Sequence, residues 1–147
     1  MMNTDVTTKL KIKQPAHKVF EAIISPSEIG HYWFSSSSER WVEGKRITLR
    51  YEEYSAEGII SVLEIEANKK IVFSWGEEHG EVTIVTIALE EYQGQTIIEV
   101  VESGLSAHDP EIVKKMMGQK EGWIYTLTCL KGYLENGINN LRASLIH

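Results

Sequence analysis

The sequence predicts an α+β fold, in which a curved, six-stranded antiparallel sheet wraps around a long carboxy-terminal α-helix, with two short helices between strands one and two. Three observations predict it. Apolar and polar residues alternate from Thr7 to Lys13 and again through most of Ile47 to Glu102, the period of strands with one wet face. Short links, Ala67-Asn68 and Tyr92-Gln93-Gly94, join the later strands and suit hairpins. Finally, Ile112, Met116, Trp123, Leu127, Leu130, Leu134, Ile138 and Leu141 recur at spacings that hold one stripe on an α-helix.

In the first strand, Thr7 to Lys13, Leu10 and Ile12 oppose Lys9, Lys11 and Lys13. Pro15 suits a first helical position, where its missing N–H is not needed, and Val19, Phe20, Ile23 and Ile24 continue a short helix from Pro15 to Ile24. Ser25-Pro26-Ser27 breaks it, and Ser27 can cap a second short helix toward Tyr32. Ser35 to Ser38 reads as a loop. Five strands follow: from Gly44 through Tyr51, then Ala56 to Glu66, Lys70 to Trp75, Glu81 to Glu91 and Gln95 to Glu102, with a polar turn from Gly76 to Gly80. Asp109-Pro110 marks a helix start, a capping carboxylate before proline. Gly118 and Gly122 each cost about 1 kcal/mol relative to alanine in a helix interior, so a bend is expected there and the stronger helix runs from Gln119 to Ala143.

The chain has 147 residues, 42% hydrophobic and 24% charged, which suits one domain with its own core. Fifteen basic and twenty-one acidic side chains leave a net charge of −6, which opposes phosphate binding, so no nucleic-acid partner is expected. A single cysteine, Cys129, excludes an intrachain disulfide; it falls off the helical stripe and is expected at its flank or exposed. No secretory signal is read at the amino terminus and no apolar run approaches the roughly 20 residues of a membrane span, so a cytoplasmic location is expected. His17, His31, His79, His108 and His147 make no i, i+4 pair with an acid beside it, so neither a metal nor another cofactor is expected. His79 and His108 belong to predicted loops. The acidic pairs Glu52-Glu53, Glu77-Glu78 and Glu90-Glu91 divide between opposite faces under strand alternation and serve as solvating charge. No phosphate-binding glycine loop or nucleophile elbow occurs.

Val19-Phe20-Glu21-Ala22-Ile23, followed by Ser25-Pro26 and Tyr32-Trp33-Phe34, resembles the amino-terminal pattern of the family of homologues of the activator of the heat-shock-protein-90 ATPase, within the START/SRPBCC superfamily. Val72-Phe73-Ser74-Trp75, Glu102-Ser103-Gly104 and Gly122-Trp123 resemble its strand-end and final-helix signatures, in the same order. The resemblance spans nearly the whole chain. It implies one START-like domain over residues 1–147, a helix-grip fold and a hydrophobic cavity between sheet and final helix, as in lipid-transfer, hormone-binding and cyclase relatives. It does not imply one activity.

Phe73, Trp75, Met116, Trp123 and Leu127 are the side chains expected along such a cavity, with Tyr32 and Trp33 near its mouth and Tyr51, Ser74 or Thr86 as polar recognition groups. The same spacing also serves a filled core, and the sequence leaves both readings open. Three functions follow. The first is binding of a small hydrophobic or lipid-like molecule without catalysis. The second, resting on the resemblance alone, is a chaperone-associated module of the ATPase-activator type with a stress-response role. The third is a cyclase or hydrolase using His31, Tyr51 or Glu99, although alternation turns Glu99 outward. No catalytic constellation is found, which favours the first. Monomer and homodimer both fit; Trp41 suits a dimer surface or a place beneath the serine loop.

Overall fold

The computed structural model describes residues 3–76 and 81–146. Its elements are β1 (Val6–Ile12), α1 (Ala16–Ile24), α2 (Pro26–Ile29), β2 (Ser36–Ser37), β3 (Arg46–Tyr51), a 3-10 turn (Glu52–Tyr54), β4 (Ala56–Glu66), β5 (Lys70–Trp75), β6 (Thr83–Tyr92), β7 (Gln95–Ser103) and α3 (Ile112–Asn136). Glu77, Glu78, His79 and His147 lie outside the described residues.

All strands join one antiparallel sheet in the order β1-β7-β6-β5-β4-β3-β2. From β3 to β7 each strand pairs with the next. The β4–β5 turn holds Asn68 at φ 63°, and the β6–β7 turn holds Gln93 at 52° and Gly94 at 75°. Two successive positive φ values give the β6–β7 turn the twist of a tight hairpin. Among the described residues the sheet has seven strands rather than six: within the serine run, Ser36 and Ser37 pair with Arg50 and Leu49. That strand carries no hydrophobic alternation and is defined by backbone pairing alone.

Alternation sets the inner face. Ile47 and Leu49 of β3, Ile60 and Val62 of β4, Ile71 and Phe73 of β5, Val85 and Ile87 of β6 and Ile98 and Val100 of β7 are all buried in one cluster with α1, α2 and the middle of α3. Trp41 belongs to this cluster; it lies beneath the serine segment, its indole N–H donating to Ser37 Oγ at 3.3 Å. Ser74 and Thr86 alternate with Phe73 and Val85 and so belong to the opposite face of the sheet.

Three helix expectations need correction. α1 begins at Ala16 with Pro15 as its cap residue, and Glu91 Oε1 accepts the Ala16 N–H at 2.6 Å. α2 ends at Ile29 and a turn carries the chain to Tyr32. α3 is one continuous helix from Ile112 to Asn136, two residues later than Asp109-Pro110 suggested, though Asp109 Oδ1 still accepts the Glu111 N–H at 2.8 Å. Gly118 and Gly122 do not break it. The helix closes at Gly137, whose φ of 67° turns its N–H onto the carbonyls of Gly132 and Tyr133.

α3 runs along the free edge of β1. Lys120 Nζ donates to the Thr7 carbonyl, and Lys131 Nζ donates to the Lys11 carbonyl at 2.8 Å. Two edge carbonyls of a strand that could recruit another strand are thereby covered by charged side chains. Beyond Gly137 the chain folds back: Tyr125 Oη donates to the Leu141 carbonyl at 2.6 Å, and Ile138 and Leu141 are partly exposed beyond the helix. Cys129 is buried rather than exposed, because α3 is covered on more than the sheet side, and burial pushes its thiol up. Among the described residues no helix is long and apolar enough to cross a membrane.

Candidate functional site

β7 presents Thr96, Ile98, Val100 and Glu102 in one phase, all buried. The alternation that sends two aliphatic side chains into the core therefore sends a carboxylate there too. Glu102 is 1% exposed. Its Oε2 accepts the Trp75 indole N–H at 3.0 Å and the Thr83 hydroxyl at 2.6 Å. Its Oε1 accepts the Trp123 indole N–H at 2.9 Å and the Gln119 amide at 2.9 Å. Four donors fill the acceptor positions that a carboxylate offers. They come from β5, β6 and α3, so one side chain ties three elements to the end of β7. All four donors are neutral, and among the described residues no lysine, arginine or histidine forms an ion pair with Glu102.

Beside this cluster lies a cavity of about 770 Å³, between the ends of β3 to β7 and the first half of α3. Phe34, Leu49, Ile60, Leu105 and Trp75 supply much of its apolar wall, and Tyr51, Thr83, Glu102 and Gln119 supply polar groups. Gly118 forms part of the helical wall; a Cβ there would meet nothing within 4 Å among the described residues. Glycine at this position thus keeps volume free. At the mouth, Lys115 Nζ lies 2.5 Å from Asp109 Oδ2 and 3.2 Å from Glu81 Oε2, an ion-paired link from α3 to the start of β6.

The sequence-proposed residues divide in two. Trp75 and Tyr51 line the cavity. Trp123 stands behind Trp75 with ring centroids 5.6 Å apart and shares Glu102 with it. Trp33, Phe73, Tyr32 and Leu127 are buried in the core cluster. Trp33 is central there, 5.5 Å from Trp123 and 6.5 Å from Phe73 by ring centroid, and Tyr32 Oη donates to the Ala22 carbonyl at 2.8 Å. Met116 packs in a separate cluster with Val6, Leu105 and Ile112, and lines a more open groove with Val113, Met117 and Ile124. Glu102, Thr83 and Gln119 were absent from the sequence-proposed site. The signal for Glu102 was present in its phase with Ile98 and Val100.

The groups considered for chemistry do not converge. Glu99 faces outward and pairs with Lys9 across the strands at 3.3 Å. His31 stacks on Tyr133 at 4.8 Å beside α2, and Tyr133 Oη lies 2.9 Å from both Glu28 oxygens. Burial and the Glu28 contact push the Tyr133 phenol up to about 12. Tyr51 is also pushed up to about 12, first by burial, with the Arg142 charge opposing. Among the described residues no cluster of three or more metal-ligating side chains occurs.

Arg142, in the returning tail, closes the flank beside Tyr51. Its Nε donates to the Trp33 carbonyl at 2.6 Å, one Nη donates to Ser35 Oγ at 3.1 Å, and the guanidinium pairs with Glu53. The same group lies 5.8 Å from the Tyr51 ring centroid. The hydrogen bond from Arg142, then that from Ser35, pulls the Glu53 carboxyl down to about 2.

Comparison with known proteins places this geometry in context. The profile of the family described as Activator of Hsp90 ATPase homolog 1-like protein matches residues 13–135. Comparison with the curated proteins gives no match. Among solved structures, SSP2350 from Staphylococcus saprophyticus is 46% identical, with 95% of this chain and 97% of that one covered and a TM-score of 0.84. DynU16, encoded in the dynemicin biosynthetic locus, is 20% identical with a TM-score of 0.80, covering 94% of this chain and 49% of its own. An Aha1 dimer from Colwellia psychrerythraea is 21% identical with a TM-score of 0.78, covering 93% and 98%. The last two likenesses concern the fold alone.

Proposed function

Since the chain belongs to the family of Activator of Hsp90 ATPase homolog 1-like proteins, we propose that it is a noncatalytic binding protein for a small hydrophobic molecule, held in the cavity between the sheet and α3. The carrying observation is the cavity itself. A volume of about 770 Å³ is within the range of small-molecule sites, and it joins apolar walls to a few polar groups. Trp75 and Tyr51 suit a flat or aromatic body, while Thr83 and Gln119 can orient a polar end. The packed aromatic core supports this reading from behind, because Phe73 packs against Trp75 with ring centroids 5.6 Å apart and braces that part of the wall.

Native mass spectrometry of protein purified from its own host tests the proposal. A copurifying apolar molecule, displaced by cavity-filling substitution at Gly118, is the expected result; ligand retained unchanged in that variant counts against this site.

The family match also favours a second reading, a chaperone-associated module of the ATPase-activator type. Stimulation of a purified heat-shock ATPase from the host distinguishes it. Stimulation that survives filling of the cavity separates the two activities.

A further inference from the structure

We infer that the molecule suited to this cavity carries a protonated amine on an apolar or aromatic body; the inference rests on the binding reading above and narrows it. Charges along the described lining divide between a rim and a floor. At the rim acidic and basic groups interleave. Glu57 pairs with Arg50 at 3.1 Å, Lys115 pairs with Asp109 at 2.5 Å and with Glu81 at 3.2 Å, and the exposed Glu111 and Lys114 lie on α3 or at its start.

The floor is different. Glu102 lines the cavity, is 1% exposed and, among the described residues, has only neutral donors. Hydrogen-bond dipoles support a buried carboxylate but do not cancel its charge, and in a poorly solvated site that charge acts strongly on a neighbouring group. A ligand carboxylate is repelled there. An ammonium is attracted.

The surrounding groups fit the same chemistry. Trp75, Tyr51 and Phe34 bring three aromatic rings to the wall, and such faces attract organic cations. Gln119 is the replaceable donor. It reaches Oε1 from the half-exposed face of α3, next to Gly118, whereas Trp123 reaches the same oxygen from the core. An ammonium that takes the place of the Gln119 amide keeps Oε1 fully hydrogen-bonded and supplies the missing positive charge. Fatty acids and other anionic lipids are thereby disfavoured, although the cavity's apolar walls suit their chains.

Three probes with one body separate the terms: 1-naphthylmethylamine, 1-naphthylmethanol and 1-naphthoate, titrated into the intact protein at neutral pH by calorimetry and by the indole N–H resonances. The expected order is amine, then alcohol, then naphthoate, with the amine about tenfold tighter than the alcohol, a difference of about 1.4 kcal/mol, and with the Trp75 and Trp123 indoles shifting. Glu102→Gln is expected to bring amine and alcohol within about threefold of each other. Should that variant fail to fold, Gln119→Ala serves instead: it frees one position on Oε1 and is expected to tighten the amine several-fold, and by more than it tightens the alcohol, whose hydroxyl can also donate to the freed position. Equal or tighter binding of naphthoate, an amine preference that persists in Glu102→Gln, amine binding weakened by Gln119→Ala, or shifts confined away from Trp75 would each overturn the inference. If the alcohol binds as well as the amine, the inference falls and the binding reading stands. If no probe binds, both fall.

Discussion

Trp123 donates its indole N–H to Glu102 at 2.9 Å, so the long helix is fastened to the last strand by a buried carboxylate as well as by apolar packing. The opposite oxygen of Glu102 holds Trp75 and Thr83. Replacing it by glutamine puts an NH2 where two of the four donors now find an acceptor. Buried donors left unsatisfied cost about 1–3 kcal/mol each. Glu102→Gln is therefore expected to lower stability by about 2–6 kcal/mol in urea unfolding; a change below about 0.5 kcal/mol contradicts the fastening role.

Thr8 gives the opposite case. It is 1% exposed on the inner phase of β1, and its hydroxyl has no partner among the described residues. Valine keeps the shape and removes the unsatisfied group, so Thr8→Val is expected to raise stability by about 1 kcal/mol. A loss of stability in the same unfolding experiment argues for a hydrogen bond there in solution.

Two glycines separate backbone strain from open space. A Cβ at Gly76 would lie 2.3 Å from the Glu81 carbonyl oxygen at a φ of 96°, whereas at Gly118 it would meet nothing within 4 Å among the described residues. Gly118→Ala is expected to stabilise α3 by about 1 kcal/mol through helix propensity, and Gly76→Ala to destabilise by more than that. Thermal unfolding of the pair checks the contrast in sign.

The tail contact responds to pH. Glu53 is drawn down from 4.5 to about 2, chiefly by the hydrogen bond from Arg142. A depressed carboxyl contributes stability that is present above its unfolded value and is lost as pH falls through the folded one. Stability should thus decline between about pH 4.5 and 2 more steeply in the wild type than in Glu53→Gln, and amide protection around Leu141, taken relative to the intrinsic exchange rate at each pH, should fall over the same range. Identical acid profiles for the two proteins would remove Arg142–Glu53 as the cause.

Much of this architecture could be read from the residues, for physical reasons that vary by element. Ala56–Glu66 and Lys70–Trp75 are observed with the limits that alternation set, because each presents one apolar face to a core. Ser36–Ser37 escaped because backbone pairing alone makes it a strand. α3 survives Gly118 and Gly122 because tertiary packing of Trp123, Leu127 and Leu130 outweighs propensity. Its end at Asn136 falls short of the expected Ala143, because the stripe continued through Ile138 and Leu141 into a tail that folds back, which helical periodicity cannot distinguish from more helix. At the site, large aromatics drew attention that belonged equally to Glu102. A charged residue in the buried phase of a strand is informative because it is costly, and its cost is visible only when its phase is compared with Ile98 and Val100.

The cavity claim meets its most direct test in the indole N–H resonances of the four tryptophans during titration with 1-naphthylmethanol. Trp75 lines the cavity, while Trp33 and Trp41 lie in the packed core. A saturable shift of Trp75, with Trp33 and Trp41 nearly still and the response abolished in Gly118→Trp, is the predicted result. A Trp75 resonance that does not move, or moves equally in Gly118→Trp, would contradict it.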